Sequence, residues 1–229
     1  MISTGIVLAA GSGKRMNSKI QKQFLEVNGK PLIYYALKAF QESRIDQIVL
    51  VTGQESLDYC RHEIVEKFGL FKVKEVVAGG SERYHSVYNG LKVVPDSDYV
   101  LIHDGARPMV MPEHINELIE CVQREQACIS GMPVKDTIKI TDDEGYVTST
   151  PDRRTLWLIH TPQAFAYELI CKAHEAFRQD GCPDGITDDG MLVENYSNCP
   201  VKMMKGSYSN VKVTTPEDLP LAEILLANK

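Results

Sequence analysis

The chain has 229 residues, 43% of them hydrophobic and 24% charged, with a net charge of −6 and a pI near 5.6. That length suits one α/β domain carrying at most an excursion, and it is ample for a buried core. An acidic balance excludes general nucleic-acid or membrane binding, which favour basic faces, so an anionic ligand must meet cations gathered locally.

Apolar runs of strand length alternate with helix-period segments from the N-terminus onward. "GIVLAA" reads as a buried strand. Residues 31–42 place Leu32, Ala36, Ala39 and Phe40 on one helical face, with Pro31 at the first helical position. "QIVLV" is the next strand, and "SLDYCRHEIVEKFG" is helix-like up to Gly69. "KVKEVVAGG" predicts a third strand, "RYHSVYNGLKVV" a helix, "DYVLIHDGARP" a fourth strand and "PEHINELIECVQRE" a further helix. This rhythm implies a mainly parallel sheet with helices on both faces.

After residue 130 the rhythm breaks. "KDTIKI" and "YVTST" flank the turn-rich "TDDEG", which predicts a hairpin over about 136–152, either an arm that projects from the body or an ordinary solvated hairpin. "LWLIHTPQAF" returns to strand, "YELICKAHEAFRQ" is a helix, and "VKMMKG" and "NVKVTT" read as late strands. Thr215-Pro216-Glu217-Asp218 is a compact helix start. Six cysteines form no CxxC pair, no leader is visible and no apolar run approaches ~18 residues, so a cytoplasmic protein with free thiols is expected.

The polar clusters follow the strands, where open α/β sheets bind ligands. "IVLAAGSGKRM" ends the first strand in a glycine loop. A Walker A loop would need glycine at Leu8 and a hydroxyl at Arg15, and a dinucleotide fingerprint would need glycine at Met16. Neither fits. Gly11 and Gly13 still permit close backbone approach to an anion, with Lys14 and Arg15 adding charge; the alternative is a tight turn with two solvated bases. Gly79-Gly80-Ser81-Glu82-Arg83 follows the third strand and His103-Asp104-Gly105-Ala106-Arg107-Pro108 the fourth, while Asn210 and Lys212 are assigned to a late strand. Singly, Asp104 and Arg107 suit a local ion pair and Gly79-Gly80 a turn. The bases Arg15, Lys22, Arg153 and Lys212 suit a reaction that brings two repelling anions together: a triphosphate attacked at its α-phosphorus by a phosphate monoester that needs no general base, with Asp104 near a divalent ion.

With "LAAGSGKRM", "KQFLEVNGKPL", "VAGGSERYHSV", "LIHDGARP", "PVKDTIK", "LWLIHTPQAF", "GITDD" and "NVKVTTPEDL" in this order, the chain resembles the 2-C-methyl-D-erythritol 4-phosphate cytidylyltransferase family nearly end to end. The resemblance implies a Rossmann-like nucleotidyltransferase fold of the GT-A-like kind, transfer of CMP from CTP to the polyol phosphate, Mg2+ dependence, and a homodimer in which the arm of one subunit completes its neighbour's pocket. By motif, it assigns Arg15 and Lys22 to the pentavalent phosphate and Ala9, Ala10, Gly11, Ser12 and Gly13 to the triphosphate. Gly80 and Ser86 fall at the cytosine or ribose end. Asp104, Gly105 and Arg107 fall at the ribose, the metal and the substrate phosphate, with Asp104 the metal residue. Thr137, Arg153 and Lys212 would position the polyol phosphate.

The chain departs from the family pattern at Gln21, where proline is usual, so a looser loop is expected there. Ser81 stands for a common aspartate, which removes one possible nucleotide contact. Gly105 stands for a commoner alanine, an exchange expected to be tolerated. Gly190-Met191 follow Asp188 and Asp189 in place of the usual ending, and those two aspartates are assigned only to support of the site. Two other readings share the chemistry or the fold: a ribitol-5-phosphate cytidylyltransferase, and a non-catalytic nucleotide-binding regulator, which the retained cations argue against.

Overall fold

A computed structural model describes residues 1–11 and 21–227. Counting only the strands of the central sheet, these are β1 (Ser3–Ala9), β2 (Gln47–Thr52), β3 (Val73–Ala78), β4 (Tyr99–Asp104), β5 (Ala127–Pro133), β6 (Trp157–Ala166) and β7 (Lys202–Lys205). Their order is β7-β5-β6-β4-β1-β2-β3. Every pairing is parallel except those of β6, which runs against both β4 and β5.

The helices are α1 (Leu32–Glu42), a mixed helix α2 over 54–66, α3 (Arg83–Leu91), α4 (Pro112–Glu125), α5 (Tyr167–Gln179), α6 (Asp189–Tyr196) and α7 (Asp218–Ala227). The period-2 alternation of strand side chains divides them between two cores. Val7 and Ala9 of β1 pack with α1, α2 and α4, whereas Ile6 packs with α3, α5 and α6. Burial on both faces is why the inner strands read as unbroken apolar runs. Gly5 is the exception that proves useful: a Cβ there would lie 2.5 Å from Phe40 Cδ1, so its absence lets α1 settle onto β1.

Several sequence expectations need correction. "NVKVTT" forms no strand; residues 210–214 cross the carboxyl ends of the sheet, tied by Val213 N to Ala106 O at 2.8 Å. The alternation that suggested a strand comes from Val213 filling a third small core with Val27 and Met109. No ladder position is open to it, because β4 is already paired on both sides. Pro31 precedes α1 instead of opening it. The helix at 54–66 is 3-10, then α, then π over Cys60–Glu66. α7 begins at Asp218, whose Oδ2 accepts from Thr214 N at 2.7 Å and Thr215 N at 2.9 Å, so only the backward-reaching carboxylate of the expected cap survives.

The hairpin forms, shorter than its predicted span, by pairing Ile140–Thr141 with Val147–Ser149, and residues 139–150 are all exposed. All six cysteines are free. No described helix is long and apolar enough to cross a membrane.

His174 of α5 lies buried, and among the described residues neither ring nitrogen has a hydrogen-bond partner. Burial, with Arg83, Arg178 and His85 nearby, pushes its pKa down to about 4 from 6.5. His103 is likewise pushed down to about 4, chiefly by burial. A depressed folded-state pKa means stability that is complete above the unfolded value and lost as pH falls. Urea midpoints should therefore drop as pH falls from 6.5 towards 4, with each histidine withdrawing on the order of 3 kcal/mol once protonated. His174→Phe should flatten part of that dependence and cost little at pH 7, since it removes an unpaired buried polar ring.

Candidate active site

β1 leads through α1 to β2 on one side, while β4 lies on its other side and is reached from β3 through α3. The chain thus diverges between β1 and β4, and the carboxyl ends of such strands border a crevice. The two ends are in register, Leu8 opposite Asp104, and Gly105 N donates to Leu8 O at 2.8 Å. A cavity of about 670 Å³ opens there. Its walls come from Ala9, Ala10 and Gly11 after β1, from Lys22 and Gln23, from the Gly80–Arg83 turn and Ser86 after β3, from Asp104, and from Lys212 and Thr214.

Asp104 is the electrostatic centre. Lys212 Nζ lies 2.8 Å from its Oδ2, Arg107 Nε 3.7 Å from the same oxygen, and Arg83 Nε 3.4 Å from Oδ1. Burial alone would raise this carboxyl; Arg83, Lys212 and Arg107 reverse that and hold it well below the usual carboxylate range. Arg83 in turn gives Nη2 to Asp189 Oδ2 at 2.7 Å. Burial would lower the Arg83 pKa, but Asp189 and Asp104 more than offset it.

Behind the carboxylate a hydrogen-bond chain fixes its backbone. Asp104 N donates to Thr161 Oγ1 at 3.0 Å, so the Thr161 hydroxyl proton is directed to His103 Nδ1, also at 3.0 Å. His103 then carries its proton on Nε2, 3.1 Å from the Arg107 carbonyl that accepts it. Thr161 and Gln163 both belong to β6, at the break in its register with β5.

The glycine loop is held from behind by Gln23, which is buried and donates to the carbonyls of Ala9 and Gly11. Gln23 also reaches Gln21 Oε1, and Gln21 Nε2 reaches Glu55 Oε1. Gln21 adopts φ −59 and ψ 136, the backbone that proline would impose. Gln21 is thus held through both atoms of its side-chain amide, while the loop before it, expected to be looser, lies outside the described residues.

Of the residues singled out from sequence, Ala9, Ala10, Gly11, Lys22, Gly80, Ser86, Asp104 and Lys212 line this one cavity. Ser12, Gly13 and Arg15 lie outside the described residues. Ser86 Oγ accepts from Gly80 N at 3.1 Å and so braces the turn it was expected to share. Gly105 and Arg107 back the wall and do not line it. Arg107 is 9% exposed and spends its guanidinium on the Asn210 carbonyl at 2.8 Å and the Ile159 carbonyl at 3.4 Å. Thr137 and Arg153 are exposed beside the hairpin and do not line the cavity; Arg153 Nη1 donates to Lys135 O at 2.8 Å.

Sequence reasoning placed Arg83 in a polar cluster without a role, gave Asp189 only support of the site, and passed over Gln23 and Gln163. The available signal was charge inside the quoted motifs "GGSER" and "GITDD", where a turn or cap needs none.

Fold and cavity define a class first: an open, doubly wound α/β protein with a cationic, carboxylate-centred site for an anionic ligand at its switch point. The chain belongs to the 2-C-methyl-D-erythritol 4-phosphate cytidylyltransferase family, whose sequence profile matches residues 4–228. It is 48% identical to the protein of that name from Lachnospira eligens over 98% of this chain and 99% of the relative. It is 46% identical to the one from Caldanaerobacter subterraneus, over 97% and 98%. Among solved structures it is similar to the 4-diphosphocytidyl-2C-methyl-D-erythritol synthase of Anaerococcus prevotii, with a TM-score of 0.85 at 35% identity, covering 99% and 96% of the two chains.

The tolerance expected at Gly105 runs in one direction only. The glycine fits, but an added Cβ would collide with Ile33 Cδ1 and come within 2.9 Å of the Leu8 carbonyl oxygen. Gly105→Ala should lower stability by about 1–3 kcal/mol in urea unfolding, because α1 and β1 both press on that position.

Proposed function

We propose that this protein transfers the cytidylyl group of CTP to 2-C-methyl-D-erythritol 4-phosphate, releasing pyrophosphate, in the non-mevalonate route to isoprenoid precursors. The observation that carries the reading is a cavity in an acidic chain whose walls bear Lys22, Arg83 and Lys212, the last two paired with the buried Asp104 carboxylate. Family membership supplies the substrates.

A phosphate monoester is largely dianionic at neutral pH and needs no general base. One of its oxygens bonds to the α-phosphorus as the bond to pyrophosphate breaks. The residues' task is to hold two anions together and to stabilise charge on the transferring phosphoryl group. The Ala9–Gly13 loop would wrap the triphosphate, with Arg15 and Lys22 at the pentavalent phosphorus. Lys22 Nζ already lies 3.0 Å from Val213 O, beside the segment that carries Lys212. Gly80 and Ser86 would meet the cytosine or ribose end. Lys212, with Thr137 and Arg153 of a neighbouring subunit, would hold the polyol phosphate, which accounts for those two residues lying outside this chain's own cavity. The exposed hairpin would be the arm that delivers them in a homodimer. A cytoplasmic setting suits the six free thiols.

The donor set fits Mg2+, which takes one or two carboxylates with substrate phosphates and water. Asp104 offers one carboxylate on the cavity wall, held ionised. Among the described residues no cluster of three or more metal-ligating side chains exists, as suits an ion shared with a triphosphate. The chemistry such an ion supplies is neutralisation of charge on the phosphate oxygens.

The test is pyrophosphate release from CTP and Mg2+ with methylerythritol phosphate or ribitol 5-phosphate offered separately. Release with the first alone is expected; release with ribitol 5-phosphate alone would reassign the substrate. Lys22→Ala should lower kcat by roughly 10²–10³-fold with circular dichroism unchanged.

A further inference from the structure

Arg83 is shared unequally between two buried carboxylates. Its Nη2 meets Asp189 Oδ2 at 2.7 Å, while its Nε stands 3.4 Å from Asp104 Oδ1. Only Asp104 lines the cavity; Asp189 is 1% exposed and lies behind it. The other two cations on Asp104, Lys212 and Arg107, both address Oδ2. Among the described residues, Oδ1 therefore has the stretched Arg83 contact as its one charged partner.

Asp189 itself is rigidly placed. Gln163, fully buried, accepts from Asp189 N at 3.0 Å and Gly190 N at 3.1 Å through Oε1, and donates to Asp188 Oδ2 at 2.7 Å. Asp188 Oδ1 in turn accepts from Met191 N at 2.9 Å and caps α6. Such a supported partner is more than a buried arginine needs for neutralisation, since Asp104 is already within reach.

We propose that Asp189 is a positioning residue: by holding Arg83 it keeps Oδ1 of Asp104 open to a divalent cation. Without the Asp189 charge, the guanidinium has a single acid left to pair with, and it closes on Asp104. A metal then competes with an arginine for the same oxygen. The inference rests on the reading that Asp104 holds the metal.

The experiment is a Mn2+ titration of the full protein with CTP present, free Mn2+ being read by electron paramagnetic resonance. Asp189→Asn, folded by circular dichroism, should weaken Mn2+ binding roughly tenfold or more, as outer-shell partners of metal ligands do, and Asp189→Glu should restore most of it. In an Arg83→Gln background the Asp189→Asn change should have no further effect on Mn2+ binding, because the two act as one unit. Wild-type affinity in folded Asp189→Asn, or an undiminished loss in the Arg83→Gln background, would overturn the proposal. If Asp189→Asn does not fold, Gln163→Met, which frees the start of α6, is judged by the same two criteria. Equal Mn2+ binding by wild type and Asp104→Asn would overturn the metal assignment, and this inference with it.

Discussion

Asp104 must stay ionised while almost wholly removed from water, and much of the site is arranged around that demand. An unpaired buried carboxylate would cost several kcal/mol and would take up a proton instead. Three cations prevent this, and each comes from a different part of the chain: Arg83 from the start of α3, Arg107 from the turn after β4, Lys212 from the crossing segment. None is free to drift. Arg83 is tied to Asp189, Arg107 to two backbone carbonyls, and Lys212 to a segment held by Val213 and the Asp218 cap.

The reversed strand makes this possible. Because β6 runs against its neighbours, it delivers Thr161 to the Asp104 amide and Gln163 to the head of α6 within three residues. A parallel strand at the same place would put its carboxyl end, not its amino half, at this edge of the sheet. The connection into β6 carries the exposed hairpin, which leaves Ile140, Tyr146 and Val147 in solvent. The charged cluster at one end of the sheet thus rests in part on the direction of β6.

The body of the fold was legible because burial on both faces writes itself into sequence. β1, β2 and β4 are apolar runs with no competing reading, and α4 and α5 show clear helical periods. What was lost had non-local causes. The direction of β6 is set by its pairing with β4 and β5 and leaves no trace in "LWLIHTPQAF". Val213 alternates like a strand residue because it plugs a small core, not because a ladder awaits it. Half of the site was readable from polar clusters after strands. The pairing of Arg83 with Asp189 spans 106 positions, and Gln163 reads as an ordinary polar residue until its two amides are seen. Arg107 was legible as a charge, but nothing local shows that two carbonyls claim its guanidinium.

The charge of Asp104 decides whether the site is organised in this way. Carbon-13 NMR of the labelled aspartate carboxyls, with Asp104 assigned through Asp104→Asn, measures it directly between pH 7 and pH 4. Its carboxyl carbon should keep the ionised shift throughout. An unperturbed carboxyl, with its ordinary value of 3.8, would be about two-fifths protonated at pH 4. A shift moving at that pH or higher would contradict the cationic ring as the organising feature of the site.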